Sequence, residues 1–481
     1  TASDTSMSCT ETIVCSTARR RMFPLHLSPI EIFMLADDQL RHPMTFVIQL
    51  QFSGQIDRGA FAAALAEALQ RHPLLQSLIT TGKRDLPCWM PATDQGPSLD
   101  WRAEGVPIAS PVGEKIDLTR EIGLRVWVRQ GAERATVLLQ FHHACCDGTG
   151  AYRFIGDLLA GYGIRTASAD DRPAFGPVQP DLLRLRKHRS LGQAAKSLEG
   201  LKRLAIHEGW KILTPRPAPL IPPSAASRNG SLTADFPGFL CYGFDRTEHQ
   251  QFRDAAGRCG ATPNDLLLRD LFLALEQWNR SHSVWPRRRW LRIMMPTDLR
   301  SGDDHEMPAA NMTGYTFLSR LASDCARPDA LLRSIRNETA LIKYRRSGAA
   351  FMDTLFVASQ VKWLLPLLLS RRLCLATATL SNAGDPSRRF TARLPRQSGR
   401  IVCGDLLLEE ITGVPPLRAQ TRATVSVSQY HRRLTVSVRC DPHLFRQQDT
   451  AAFLDLYVEH LRRSAGSGSP LQTASSLLPV A

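Results

Sequence analysis

From Pro24 onward the apolar positions fall into strand alternations and helical stripes. Met44 to Phe52, MTFVIQLQF, is apolar and β-rich, which predicts a strand. Asp57 to Arg71 has helical spacing, with Asp57 placed to cap the helix. Pro73 then opens a strand through LLQSLI. Leu124 to Arg129 and Ala135 to His143 read as two further strands, and Thr149 to Gly163 as an amphipathic helix. A Pro- and charge-rich stretch from about Arg172 to Gly230 is the best domain linker; it holds a basic helical stretch over 182–211 and the run TPRPAPLIPPSAAS. A second set follows, with a strand near Phe239 to Phe244, helices over 247–258 and 263–280, and strands over 289–296 and 312–319. Helices over 328–345 and 350–369 come next, then strands near 375–381, 422–429 and 433–440, and a last helix over 449–463. The alternation RLTVSVRC is especially clear. Both halves mix strands and helices, which predicts an α/β (α+β) chain in two lobes.

Composition narrows this picture. A chain of 481 residues with 43% apolar and 22% charged residues has room for two globular lobes and is not a disordered or fibrous chain. The expected division is a disordered leader (1–21), an N-terminal lobe (22–175), a basic crossover linker (176–230), a C-terminal lobe (231–463) and a loose tail (464–481). The leader lacks the apolar core of a signal peptide. No uncharged apolar run reaches the roughly 18 residues of a membrane span. Eleven Cys without a CxxC pair suit a reduced, cytoplasmic protein.

The net charge of +15 raises nucleic acid, anionic lipid or an anionic substrate as partners. Arg supplies 52 of the 60 basic residues, an excess that most simply reflects GC-rich coding. From Arg184 to Arg216, nine Lys or Arg face two Glu. That stretch, led by Arg184, Arg186, Lys187 and Arg189, is expected on the surface, as a solvated linker or a docking site for phosphate-bearing partners. Aromatics are 7% and no nucleic-acid module is recognisable, so nucleic acid is disfavoured. The apolar segment FMDTLFVASQVKWLLPLLLSRR (351–372) is read as a core helix or as a peripheral membrane contact.

The chemistry concentrates in ATVLLQFHHACCDGTGAYRF. Side chains alternate along a strand, so Val137, Leu139, Phe141 and His143 share one face, while Leu138, Gln140 and His142 share the other. One histidine, not both, can enter a site. The adjacent His142, His143, Cys145 and Cys146 do not match zinc spacings, and no metal is expected. Asp147, Gly148 and Gly150 follow in a turn that opens a helix. A histidine at a strand mouth can act as a base near neutral pH, and Gly148 removes a side chain where a ligand approaches. Read alone, the same residues are also a polar strand end and an ordinary Asp-Gly turn. Neither a GxSxG elbow nor a GxxxxGK[ST] loop is present, which sets aside serine hydrolases and P-loop enzymes.

HHACCDG (142–148) matches an HHxxxDG signature and resembles the chloramphenicol-acetyltransferase-like superfamily of thioester-dependent acyltransferases. Peptide condensation domains, wax ester synthases and alcohol acyltransferases are among its branches. Other segments resemble it in order: LSPIEIFML with PMTFVIQLQFSGQID as its first strand region, FAAALAEALQRHPLLQSLI, ATPNDLLLRDLFLAL, MPTDLRS with ANMTGYTFL, and LSNAGD, together spanning about 24–463. The DFGWG motif of the plant BAHD branch is missing.

The resemblance implies two lobes in a V with a tunnel between them. His143 would be the base that deprotonates an alcohol or amine acceptor, with His142 and Gly148 in support. Asp147 would pair with an arginine, for which Arg300 is the choice. Thr313, Ser381 and Asn382 would be oxyanion or acceptor contacts, and Asn264 with Asp265 a further motif. No bound cofactor is implied; the co-substrate is acyl-CoA or an acyl-phosphopantetheine, with an acyl carrier protein as candidate partner. The expected function is acyl transfer from that thioester. The alternatives are a stand-alone peptide-condensation domain forming amide bonds and a basic nucleic-acid- or lipid-binding protein.

Overall fold

The structure is a computed structural model. It describes residues 22–81, 86–92, 94–108, 115–168, 171–187, 214–223, 238–345, 347–360, 369 and 373–466. The first half supplies strands β1 (Leu25–His26), β2 (Thr45–Ser53), β3 (Ser77–Thr81), β4 (Pro87–Pro91), β5 (Ser98–Ala103), β6 (Leu124–Gln130) and β7 (Arg134–His142). Its helices are α1 (Pro29–Asp37), α2 (Arg58–Arg71) and α3 (Gly148–Thr166). The second half supplies β8 (Leu240–Phe244), β9 (Trp290–Asp298), β10 (Thr313–Leu321), β11 (Ala378–Gly384), β12 (Arg396–Gln397), β13 (Arg400–Cys403), β14 (Leu406–Val414), β15 (Ala423–Tyr430) and β16 (Arg433–Cys440). Its helices are α4 (Arg246–Arg258), α5 (Pro263–His282), α6 (Pro328–Arg345), α7 (Gly348–Gln360) and α8 (Gln447–Ala465).

Two large sheets organise these elements. One has the order β12-β13-β14-β2-β7-β6-β5, the other β10-β9-β11-β15-β16-β8; β1, β4 and β3 form a small third sheet. In the first sheet, Val137, Leu139 and Phe141 of β7 enter the main core, while Leu138 joins Val47 and Trp127 on the opposite face. Helix α2 buries Phe61, Ala64, Leu65, Ala68 and Leu69 at helical spacing, and the Asp57 carboxylate caps it by accepting from Ala60 N. In the second sheet, Leu434, Val436, Val438 and Cys440 of β16 face a separate core shared with α5 and α8.

Strands β12 to β14 come from the range expected for the second lobe, yet they extend the first sheet. β14 runs antiparallel to β2, with Gly413 opposite Ile48. A Cβ at Gly413 would lie 2.4 Å from Val47 O, so this crossing demands glycine.

Some sequence expectations change. The segment after Pro73 begins as a 3-10 turn, Pro73–Gln76, because Ser77 Oγ donates to Pro73 O (2.6 Å); the strand starts at Ser77. LSPIEIFML is mostly helix α1, closed by a capping box between Ser28 and Glu31. Arg186, expected in the exposed basic stretch, is buried: its guanidinium donates to both carboxylate oxygens of Glu31, at 2.7 and 3.0 Å. Residues 188–213 of that stretch, like the leader and the tail from 467, lie outside the described residues. The apolar helix expected over 350–369 is described to Gln360, where Phe351, Met352 and Leu355 are buried in the core. Among the described residues no helix is long and apolar enough to cross a membrane.

Candidate active site

Strand β7 ends at His142, and the chain then crosses to α3 in five residues. His142 and His143 separate as alternation demands. His142 is fully buried; its Nδ1 accepts from Ala144 N (3.1 Å), so its ring proton sits on Nε2, 3.4 Å from Asp38 Oδ2. It shapes the turn. His143 donates its backbone N–H to Met44 O (2.8 Å), its ring lies 5.1 Å from the Phe46 ring, and it lines a cavity of about 180 Å³.

The His143 side chain is held from the second half of the chain. Asn311 Nδ2 donates to the His143 carbonyl (2.7 Å) and sits 3.0 Å from His143 Nδ1; Asn311 Oδ1 accepts from Thr313 N. Nδ1 thus faces the protein and Nε2 remains for a ligand. Burial pushes the imidazole from its ordinary 6.5 down to about 4, against the opposing pull of Asp147 and of its own carbonyl. The imidazole is therefore neutral at pH 7.

Asp147 caps α3 by accepting from Gly150 N (2.8 Å). The same carboxylate takes Arg300 Nη1 (2.8 Å) and Nη2 (3.0 Å), Met312 N (2.8 Å) and the Thr313 hydroxyl (3.1 Å). Burial alone would raise its pKa, but the Arg300 charge and these hydrogen bonds outweigh it and hold the carboxyl below the usual range. Arg300 also reaches Asp298 Oδ1 (3.1 Å) and Ala310 O (2.7 Å). The turn after β7 is therefore riveted to the β9–β10 crossing. Gly150 permits this contact, since a Cβ there would meet Ala310 N and O at 2.9 Å. At Gly148, by contrast, the nearest atom to an added Cβ is 4.0 Å away, and the residue lines the cavity, open on the side where the sequence reading expects a ligand.

The other candidates divide. Thr313 lines the cavity, but its O–H is committed to Asp147, which removes it as a donor to an oxyanion. Ser381 lines the cavity with its hydroxyl unengaged by any described residue. Asn382 also lines it, yet its amide donates to Asn264 Oδ1 (3.1 Å) and its carbonyl accepts from Gly384 N. Asp265 is not part of the cavity: it is buried, forms a capping box with Thr262 at the start of α5, and accepts from Thr339 Oγ1. Asn264 touches the site only through Asn382.

Sequence reading did not assign Asn311 or the link from Thr149 Oγ1 to Asp298 Oδ2 (3.1 Å), which Arg389 shares. Asn311 opens the N-x-x-G pattern of ANMTGYTFL, which was the available signal. Phe46, Ile48, Met294, Tyr315 and Val414 supply the cavity's apolar wall. Among the described residues no group of three or more His, Cys, Asp or Glu is placed to hold a metal ion.

No protein-family model matches the chain. The structure is similar to the first condensation domain of the calcium-dependent antibiotic synthetase, with a TM-score of 0.64 and 13% identity, covering 93% of this chain and 97% of that one. It is also similar to the starter condensation domain of rhizomide synthetase, solved as a mutant in complex with C8-CoA and Leu-SNAC, with a TM-score of 0.59 and 12% identity over 96% and 99% of the two chains. The chain therefore has the condensation-domain fold, an α/β arrangement of chloramphenicol-acetyltransferase-like type. In sequence it is 27% identical over 293 residues to isonitrile lipopeptide synthase of Mycobacterium tuberculosis; the match covers 55% of this chain but only 11% of that protein. An uncharacterized protein of the same organism is 25% identical over 387 residues, covering 75% of this chain and 83% of its own length.

Proposed function

We propose that the chain is an acyltransferase that moves an acyl group from a thioester, of CoA or of a carrier protein, to a hydroxyl or amine. The observation that carries this reading is His143: a buried, neutral imidazole with Nδ1 turned to the protein and its ring opening on the cavity. His143 Nε2 takes the acceptor proton as the acceptor oxygen or nitrogen attacks the thioester carbonyl. The C–S bond then breaks, and the proton passes to the departing sulfur, giving the acylated product and a free thiol. A positioned base contributes about 10²- to 10⁴-fold. Holding both substrates in line and donating to the oxyanion supply the rest; Ser381, whose hydroxyl lines the cavity, is our candidate for the second task. Base action uses the tautomer with the proton on Nδ1, in which Nδ1 donates to its own carbonyl in place of accepting from Asn311 Nδ2.

The fold and the sequence likeness to a lipopeptide synthase support transfer of an acyl group to an amine or hydroxyl. The test is a matrix of acyl-CoAs, from acetyl to palmitoyl, against alcohol and amine acceptors, following free thiol with wild type and His143→Ala. Acceptor-dependent thiol release that vanishes in the variant supports the proposal. Release that ignores the variant removes His143 from the role.

A further inference from the structure

A second, larger pocket of about 930 Å³ lies at the far end of β11 and has no part in the chemistry above. Its cations are Arg246 and Arg253 of α4, Arg388 after β11, and Arg432 of the β15–β16 turn; its carboxylates are Asp254 and Asp385. Both carboxylates are occupied. Asp254 accepts from Gln250 (2.8 Å); Asp385 caps the turn at Ser387 and lies 3.6 Å from Arg388. Arg246, Arg253 and Arg432 carry no ion pair with any described residue.

His249 is the second observation. It sits on the same face of α4 as Arg246 and Arg253, lines the pocket, and is 6% exposed. Its Nδ1 is bonded to Arg432 O (3.0 Å), while its Nε2 is buried with no hydrogen-bond partner. A buried ring nitrogen without a partner is costly unless a ligand completes it. Beside it, His431 and Arg432 hold positive φ values of 47° and 63°, which bring both into the pocket rim.

The pocket adjoins the catalytic cavity along three chain segments. On β11, Ser381 and Asn382 line the cavity and Gly384 lines the pocket; after β11, Arg389 faces one and Arg388 the other; on β15, Ser426 faces one and Gln429 the other. Three strand residues span about 10 Å. A pantetheine arm is long enough to set a thioester that far from its phosphate.

We propose that this arginine pocket, completed by His249, binds the phosphate end of the acyl donor, either the nucleotide phosphates of CoA or the phosphodiester of a carrier protein's phosphopantetheine. The assignment rests on the thioester reading above for what the phosphate belongs to. Arg guanidinium groups suit phosphate because they donate in a fork.

The experiment uses the full chain and the Arg246→Ala/Arg432→Ala variant, both residues being exposed; a thermal melt checks that the variant folds. Calorimetry measures binding of adenosine 3′,5′-bisphosphate and of phosphopantetheine, and kinetics give the KM of acyl-CoA relative to phosphate-free acyl-pantetheine. Bisphosphate binding that weakens at least about tenfold in the variant, with the KM ratio rising alike, supports the CoA source. Binding of phosphopantetheine alone, lost in the variant, supports the carrier source. The Arg→Lys double variant, which keeps the charge and loses the fork, should bind between wild type and the alanine variant. No binding of either probe by wild type, or equal binding by the alanine variant, overturns the pocket. Probe binding with no thiol release from any thioester would sink the acyltransferase reading and leave the pocket standing.

Discussion

Removing the Asp147 carboxylate should unseat two parts of the chain at once. Asp147→Ala deletes five hydrogen bonds, from Arg300 Nη1 and Nη2, Gly150 N, Met312 N and the Thr313 hydroxyl. It also leaves the Arg300 guanidinium, whose side chain is 5% exposed, without its main counter-charge. Breaking one side of a buried pair costs about 3–5 kcal/mol. Asp298 still lies 3.1 Å from Arg300, which places the expected loss at the lower end, about 3 kcal/mol. The lost cap of α3 contributes about 1 kcal/mol more. For units of this size that is a Tm lower by roughly 10 °C.

The assay is a double-mutant cycle of Asp147→Ala, Arg300→Ala and the pair, read by denaturant unfolding and by turnover. Removing both charges leaves no orphan, so the double variant should be more stable than the two losses summed, by about 2 kcal/mol. Because the folded pKa of Asp147 lies below its unfolded value, the pair's contribution is complete above the unfolded pKa, through the neutral range. It is lost only as pH falls through the lower folded value. Additive single losses, or a Tm drop below about 2 °C, would refute the reasoning.

Other outcomes follow from the same geometry. His143→Ala should lower kcat at least about 100-fold while unfolding stays cooperative; activity within a few fold of wild type would end its role as base. Burial holds His143 at about 4, so kcat/KM should keep its activity down to pH 5, and an acid limb near 6.5 would contradict the buried geometry. With that folded pKa depressed, the unfolded chain takes up the extra proton first, so stability should fall as pH drops from 6.5 toward 4. Asn311→Ala should cut kcat about tenfold with little change in KM, since Asn311 positions His143 and lies behind it. Ser381→Ala should cost about 100-fold in kcat; an unchanged kcat would clear Ser381 of the oxyanion task.

The legible parts of the fold were those whose signal is local. β7 and β16 alternate so regularly that both were readable, and the turn HHACCDG follows directly on β7. Asp57 and the apolar spacing after it marked α2. Helix α1 went unread although Ser28 and Glu31 spell a capping box, because its apolar residues run nearly around the helix and show no stripe. β4 escaped because PCWMP is bounded by two prolines, which argue against a strand; here they sit at the strand's two ends. β14 escaped for a different reason: it is defined by pairing with β2, more than 350 residues away, and such register leaves no local trace; β13 and β12 are short strands added onto it in turn.

The candidate site repeats that division and gives it a mechanical meaning. His143 and Asp147 were visible because a strand and a turn place them within five residues of each other. What holds them comes from 298–313: the resemblance named Arg300 and Thr313, whereas Asp298 and Asn311 are dispersed polar residues until β9 and β10 pair antiparallel and bring all four together. An imidazole held by Asn311, beside a carboxylate held by Arg300, keeps its direction into the cavity only while the β7 turn is seated on the β9–β10 crossing. The same crossing carries Asp298, which bonds Thr149 of α3 and Arg389 at the cavity wall. Loosening that seat therefore misaims His143 without touching it. Variants that break the Asp147–Arg300 contact should lose catalysis in proportion to how far they free the turn, and His143 in those variants should titrate closer to 6.5 as water reaches it.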